Sequence, residues 1–125
     1  MAYQSVLMID DDNEDREIFQ SALHELHPSV SFTSMGDARR ALHALIEGSI
    51  KPEVIFLDLN MPEMNGLEFL TEVKKNELTA PIDIIVFSTS SHVPTIELTK
   101  RLGAKDFITK PGRYGELLDV LRRHI

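Results

Sequence analysis

The strongest constraint on this chain is a regular alternation between two kinds of segment. Short continuous apolar runs occur at Val6-Leu7-Met8-Ile9, Val54-Ile55-Phe56-Leu57 and Ile84-Ile85-Val86-Phe87. A run with no polar alternation reads as a strand covered on both faces. Val30-Ser31-Phe32-Thr33 alternates and reads as a weaker strand nearer an edge, and Lys105 to Thr109 reads as a short fifth strand.

Between these runs the apolar residues recur with a helical period. Ile18, Phe19, Ala22, Leu23 and Leu26 share one face, as do Ala38, Ala41, Leu42, Leu45 and Ile46. Leu67, Leu70 and Val73 mark a third helix, Ile96, Thr99 and Leu102 a fourth, and Leu117, Leu121 and Ile125 a fifth. Pro28 and Gly48 close the first two helices. Asn65-Gly66-Leu67-Glu68 has the spacing of a capping box, and Pro94 fits the opening turn of the fourth helix. Five β-α units in succession predict an α/β fold with a parallel sheet between two helical layers. In such a sheet the ligand site lies beyond the carboxyl ends of the strands.

Those ends carry chemistry. Asp10-Asp11-Asp12 follows the first strand, Asp58 the third, Ser88 and Thr89 the fourth, and Lys110-Pro111 the fifth; the second adds only Ser34. Carboxylates at Asp10, Asp11 and Asp58 would repel one another, and a hard divalent cation, Mg2+ with retained waters, relieves that repulsion. The same set suits phosphoryl transfer. A carboxylate attacks phosphorus, while a cation and an amine neutralise the equatorial oxygens. Asp58, the single acid after the central strand, fits the nucleophile. Asp10 and Asp11 fit a metal-holding pair, Ser88 the hydroxyl donor and Lys110 the amine.

These residues are also where the chain resembles the receiver domain of two-component response regulators. The resemblance rests on Ile9-Asp10-Asp11-Asp12, Leu57-Asp58-Leu59-Asn60-Met61-Pro62 with Asn65-Gly66, Ser88-Thr89-Ser90, Gly103-Ala104 and Lys110-Pro111. It covers essentially the whole chain. It implies a flavodoxin-like (βα)5 fold of strand order 2-1-3-4-5 and a phosphorylated aspartate at Asp58. It implies a direct metal ligand at Asp11, a partner ligand at Asp10 and a backbone carbonyl ligand at Asn60. It further implies a phosphoryl contact from Lys110, a cis bond before Pro111, and a switch pair of Ser88 and Phe107. Phe107 stands where Tyr is commonest, so no hydroxyl is available there. Ser88-Thr89-Ser90-Ser91 and the loop Asn76 to Pro81 resemble those of small single-domain regulators paired with phytochrome-type or other hybrid kinases. The expected donor is a histidine kinase or a histidine phosphotransfer domain. The expected output surface is the fourth helix, fifth strand and fifth helix around Phe107, where a downstream protein or a second copy of the chain would bind.

Composition narrows the alternatives. At 125 residues the expectation is one receiver domain over 1–125 with no separate output domain. Thirteen Lys plus Arg against 20 Asp plus Glu give a net charge of −7, which disfavours nucleic acid. No Cys and no spanning apolar stretch favour a cytoplasmic setting without a membrane segment. The histidines His24, His27, His43, His92 and His124 are expected at the solvated surface. A phosphohydrolase working through an aspartyl intermediate would need a second acid two residues after the nucleophile, where this chain has Asn60. A protein-binding module without phosphorylation would not need the full set of acids, hydroxyl and lysine. The expected role is therefore a phosphoacceptor with weak self-phosphorylation and self-dephosphorylation, not a turnover enzyme.

Overall fold

A computed structural model describes residues 3–125. Five strands and five helices alternate along the chain. They are β1 (Ser5–Ile9), α1 (Asn13–Leu26), β2 (Ser31–Met35), α2 (Ala38–Glu47), β3 (Val54–Leu57), α3 (Gly66–Lys75), β4 (Asp83–Ser88), α4 (Val93–Arg101), β5 (Asp106–Thr109) and α5 (Tyr114–His124). The strands form one sheet in the order β2-β1-β3-β4-β5, with every pairing parallel.

The apolar runs are continuous because successive residues serve opposite faces. Leu7, Ile9, Ile55, Leu57, Ile84 and Val86 pack with Ala41, Leu45, Phe69, Leu70 and Val73 of α2 and α3. Val6, Met8, Val54, Phe56, Ile85 and Phe87 pack with Phe19, Ala22, Leu23, Leu117 and Leu121 of α1 and α5. Phe19 anchors the second layer, with its ring centroid 4.9 Å from that of Phe56 and 5.6 Å from that of Phe87. The helix signals are met by their bonds. Asp12 and Asp37 cap α1 and α2, Gly48 ends α2 at φ 79°, and Asn65 with Glu68 closes a complete capping box on α3.

Several details depart from the sequence expectations. Ile18 and Ile46 are 46% and 40% exposed, because each lies at the rim of its helical stripe rather than in it. Ser34 lies within β2, in register with Met8, and so does not reach the site edge. Every peptide bond among the described residues is trans, including Lys110–Pro111, which takes the isomer that an X–Pro bond intrinsically prefers. His124 is not simply solvated. Its Nε2 lies 3.0 Å from Asp106 Oδ2 and its Nδ1 2.9 Å from the Val120 carbonyl, which ties the end of α5 to the start of β5. His27 is half-buried, and its Nε2 has no hydrogen-bond partner.

One glycine brings the fold up to the site. A Cβ on Gly66 would stand 2.5 Å from the Asp58 carbonyl oxygen and 2.7 Å from Leu59 Cα. The absent side chain thus lets the first turn of α3 sit against the backbone that carries Asp58. Gly66→Ala is expected to destabilise the fold by about 2 kcal/mol, because backbone rather than a flexible side chain must move. Urea unfolding checks this, and an unchanged midpoint would contradict the close approach.

Candidate functional site

The sheet register brings the strand ends together. Ile9 is level with Leu57, and Leu57 with Val86, so Asp10 and Asp58 leave adjacent strands side by side. Ser88 is level with Thr109, and the Lys110 backbone N–H donates to the Ser88 carbonyl at 2.7 Å. Asp10 is fully buried, Asp58 is 6% exposed and Asp11 lies open to solvent. Carboxylate oxygens from these three residues all lie within 4.8 Å of one another.

The Lys110 ammonium sits among these acids. Its Nζ donates to Asp10 Oδ2 and to Asp15 Oδ2, each at 2.7 Å, and stands 4.0 Å from Asp58 Oδ1. Burial alone would lower the Lys110 pKa. The bonds to Asp10 and Asp15 and the charge of Asp58 outweigh burial and hold it above the usual lysine range. Burial pushes the Asp58 carboxyl up to about 6, with the charges of Asp10 and Asp11 adding to the rise and Lys110 and the Asn60 N–H opposing it. At neutral pH Asp58 is still mainly ionised, as a nucleophile must be.

Both Asp10 carboxylate oxygens are already hydrogen-bonded, each with a lone pair left for a cation. Its Oδ1 accepts from the Asp12 N–H at 2.9 Å and its Oδ2 from Lys110. Asp12 is a cap rather than part of the acidic cluster, since its Oδ1 accepts from the Glu14 and Asp15 N–H groups. Asn60 follows in the β3–α3 loop, and its backbone N–H favours the ionised form of the Asp58 carboxylate. The buried Ser88 hydroxyl accepts from the Ser90 N–H at 3.4 Å, and Thr89 is exposed. Phe107 is half-buried on β5 and packs against the α2–α3 core layer.

Two residues at the site escaped the sequence reading. Asp15 binds Lys110 from the first turn of α1. Arg16 donates from Nη1 to the Asp10 carbonyl at 2.6 Å and from Nη2 to Asn13 Oδ1 at 3.0 Å, which fixes the β1–α1 turn.

The donor set fits a hard divalent cation. Three carboxylates converge, and hard cations prefer oxygen ligands. Asp10, Asp11 and Asp58 are the side chains that would hold Mg2+.

Comparison with known proteins agrees with this geometry. The response regulator receiver domain family matches residues 6–122. A protein-glutamate methylesterase/protein-glutamine glutaminase from Myxococcus xanthus is 37% identical over 108 residues. That match covers 86% of this chain and 30% of the relative, so the chain spans about a third of that relative's length. The chemotaxis protein CheY of Thermotoga maritima is 29% identical over 119 residues, covering 94% of each chain. Among solved structures, the phosphorylated cyanobacterial phytochrome response regulator RcpA superposes with a TM-score of 0.88 at 25% identity, covering 98% of this chain and 91% of that one. The Mn(2+)-bound form of the response regulator Rcp1 gives 0.84 at 25% identity, covering 96% and 90%. Among the described residues, no helix is long and apolar enough to cross a membrane. The match over 6–122, the 2-1-3-4-5 sheet and the acidic cluster at its carboxyl edge agree: this chain belongs to the response regulator receiver domain family, whose members take part in phosphorelay with histidine kinases or histidine phosphotransfer domains.

Proposed function

We propose that Asp58 accepts a phosphoryl group from a phosphohistidine donor in a Mg2+-dependent reaction, and that the resulting aspartyl phosphate switches partner binding or passes the group onward. The observation that carries this reading is the meeting of Asp10, Asp11 and Asp58 oxygens within 4.8 Å, with the Lys110 amine 4.0 Å from Asp58. An Asp58 oxygen attacks phosphorus, the donor P–N bond breaks, and the leaving imidazole keeps the bonding pair and takes up a proton. Mg2+, held by Asp10, Asp11, Asp58 and the Asn60 carbonyl, would screen the charge of nucleophile and phosphoryl oxygens. Lys110 meets an equatorial oxygen, and the Ser88 hydroxyl turns from Ser90 to another.

Output follows from the position of Phe107. Movement of Ser88, level with Thr109 of the neighbouring strand, changes the space beside β5. The half-buried Phe107 responds and alters the surface with α4 and α5. A downstream protein or a second copy of the chain binds there, so residues 1–125 signal through protein contacts in the cytoplasm rather than through nucleic acid. The likeness to RcpA supports a phytochrome-type or hybrid kinase as donor.

The test uses acetyl phosphate as the donor. With Mg2+ the intact protein is expected to gain the mass of one phosphoryl group, and chelation is expected to abolish the gain. Asp11→Asn is expected to weaken Mg2+ binding, read by calorimetry, by about tenfold or more, equivalent to about 1.4 kcal/mol. Uptake that ignores chelation, or unchanged affinity in Asp11→Asn, would contradict the assignment.

A further inference from the structure

The acidic cluster does not hold Lys110 alone. An ammonium offers three N–H donors. One goes to Asp10 and a second to Asp15 on α1, 95 residues away in sequence, each at 2.7 Å. Bonds this short between charged partners are the strong class of hydrogen bond. An acid in the first turn of α1 would suit the helix dipole in any case. Glu14 serves the dipole equally and makes no ion pair with Lys110, so the dipole does not account for the bond across the fold. When Asp10 is committed to a cation, Asp15 is the carboxylate left to hold the lysine.

We infer that Asp15 is a positioning residue that tethers the Lys110 amine toward α1, so that a phosphoryl group on Asp58 must compete with Asp15 for that amine. The inference rests on the reading of Asp58 as phosphoacceptor. With Asp10 committed to a cation, the ammonium stays drawn toward α1, and its charge is shared with a carboxylate in every state in which the tether holds. The tether also ties the first turn of α1 to the state of Asp58, because strengthening the Lys110–phosphoryl contact weakens the bond to Asp15.

The test measures initial rates of Mg2+-dependent phosphoryl incorporation from acetyl phosphate into the full chain. Asp15→Asn is expected to raise the rate about tenfold, the equivalent of redirecting one charge-assisted hydrogen bond. Asp15→Glu restores the charge and is expected to remove most of that rise. Asp15→Gln is measured alongside, so that a folding defect in one neutral variant does not remove the comparison. An ion pair at 2.7 Å is little affected by salt, whereas repulsion of an anionic donor is screened within about 10 Å at 0.1 M and closer above it. The rise is therefore expected to persist at high salt. A rise that disappears with salt would show that Asp15 merely repels the donor, and would overturn the tether. Unchanged or slower incorporation in both neutral variants, with a normal wild type, would overturn it too and leave Asp58 untouched as acceptor. A wild type with no incorporation at Asp58 would overturn both.

Discussion

Asp58→Asn is expected to abolish phosphoryl uptake and, at neutral pH without Mg2+, to make the fold more stable. The first effect follows from the chemistry, since a carboxamide cannot supply the attacking oxygen anion. The second follows from burial. The Asp58 carboxyl titrates at about 6 in the folded chain against 3.8 in the open chain. Below 3.8 both states are protonated and Asp58 exerts no penalty. As pH rises toward about 6 the unfolded state releases its proton while the folded state retains one, so stability falls, and the full penalty is present above that value. A shift of this size corresponds to about 3 kcal/mol at most. The stabilisation by Asp58→Asn should therefore appear between pH 4 and 7 as pH is raised, be absent in acid, and shrink when Mg2+ is added. Thermal unfolding across that range checks it. A variant less stable than wild type at neutral pH without metal would contradict the repulsive cluster.

Lys110→Ala is expected to damage both stability and chemistry. The receiver resemblance makes Lys110 a phosphoryl contact. Its bonds show a second role, because the fully buried Asp10 carboxylate depends on it. Removing one partner of a buried ion pair strands the other charge, and the expected loss is about 3 kcal/mol without metal. Mg2+ should recover part of it by supplying positive charge to the same carboxylates. Phosphorylation should slow by about 100-fold even with Mg2+, the scale of losing one preorganised donor at the reacting group. Urea unfolding with and without Mg2+, together with uptake rates, separates the two effects. Normal stability and normal kinetics together would remove Lys110 from the account.

The fold was legible wherever a residue's fate depended on its near neighbours. Val54 to Leu57 and Ile84 to Phe87 read as buried strands because each is sandwiched between two helical layers, which demands apolar side chains on both faces. The capping box of Asn65 and Glu68 is local by nature and appears as expected. The meeting of Asp10, Asp11, Asp58 and Lys110 was legible because a parallel sheet carries the ends of β1, β3 and β5 to one edge. Misreadings arose where tertiary packing decides. Ile18 and Ile46 obey the helical period but lie beyond the width of the buried stripe. Asp15 and Arg16 were not legible as site residues. An acid and a base in the first turn of a helix are common, and only the tertiary fold brings Asp15 to Lys110, 95 residues away in sequence. His124 likewise finds Asp106 only through the docking of α5.

Placement of the phosphoryl group tests the central claim most directly. The chain is treated with acetyl phosphate and Mg2+, the acyl phosphate is trapped by borohydride reduction, and the modified residue is located by peptide mass spectrometry. The account predicts that the reduced residue is Asp58, with Asp10, Asp11 and Asp15 unmodified. A phosphoryl group on any other residue, or Mg2+-dependent uptake retained in Asp58→Asn, would contradict it.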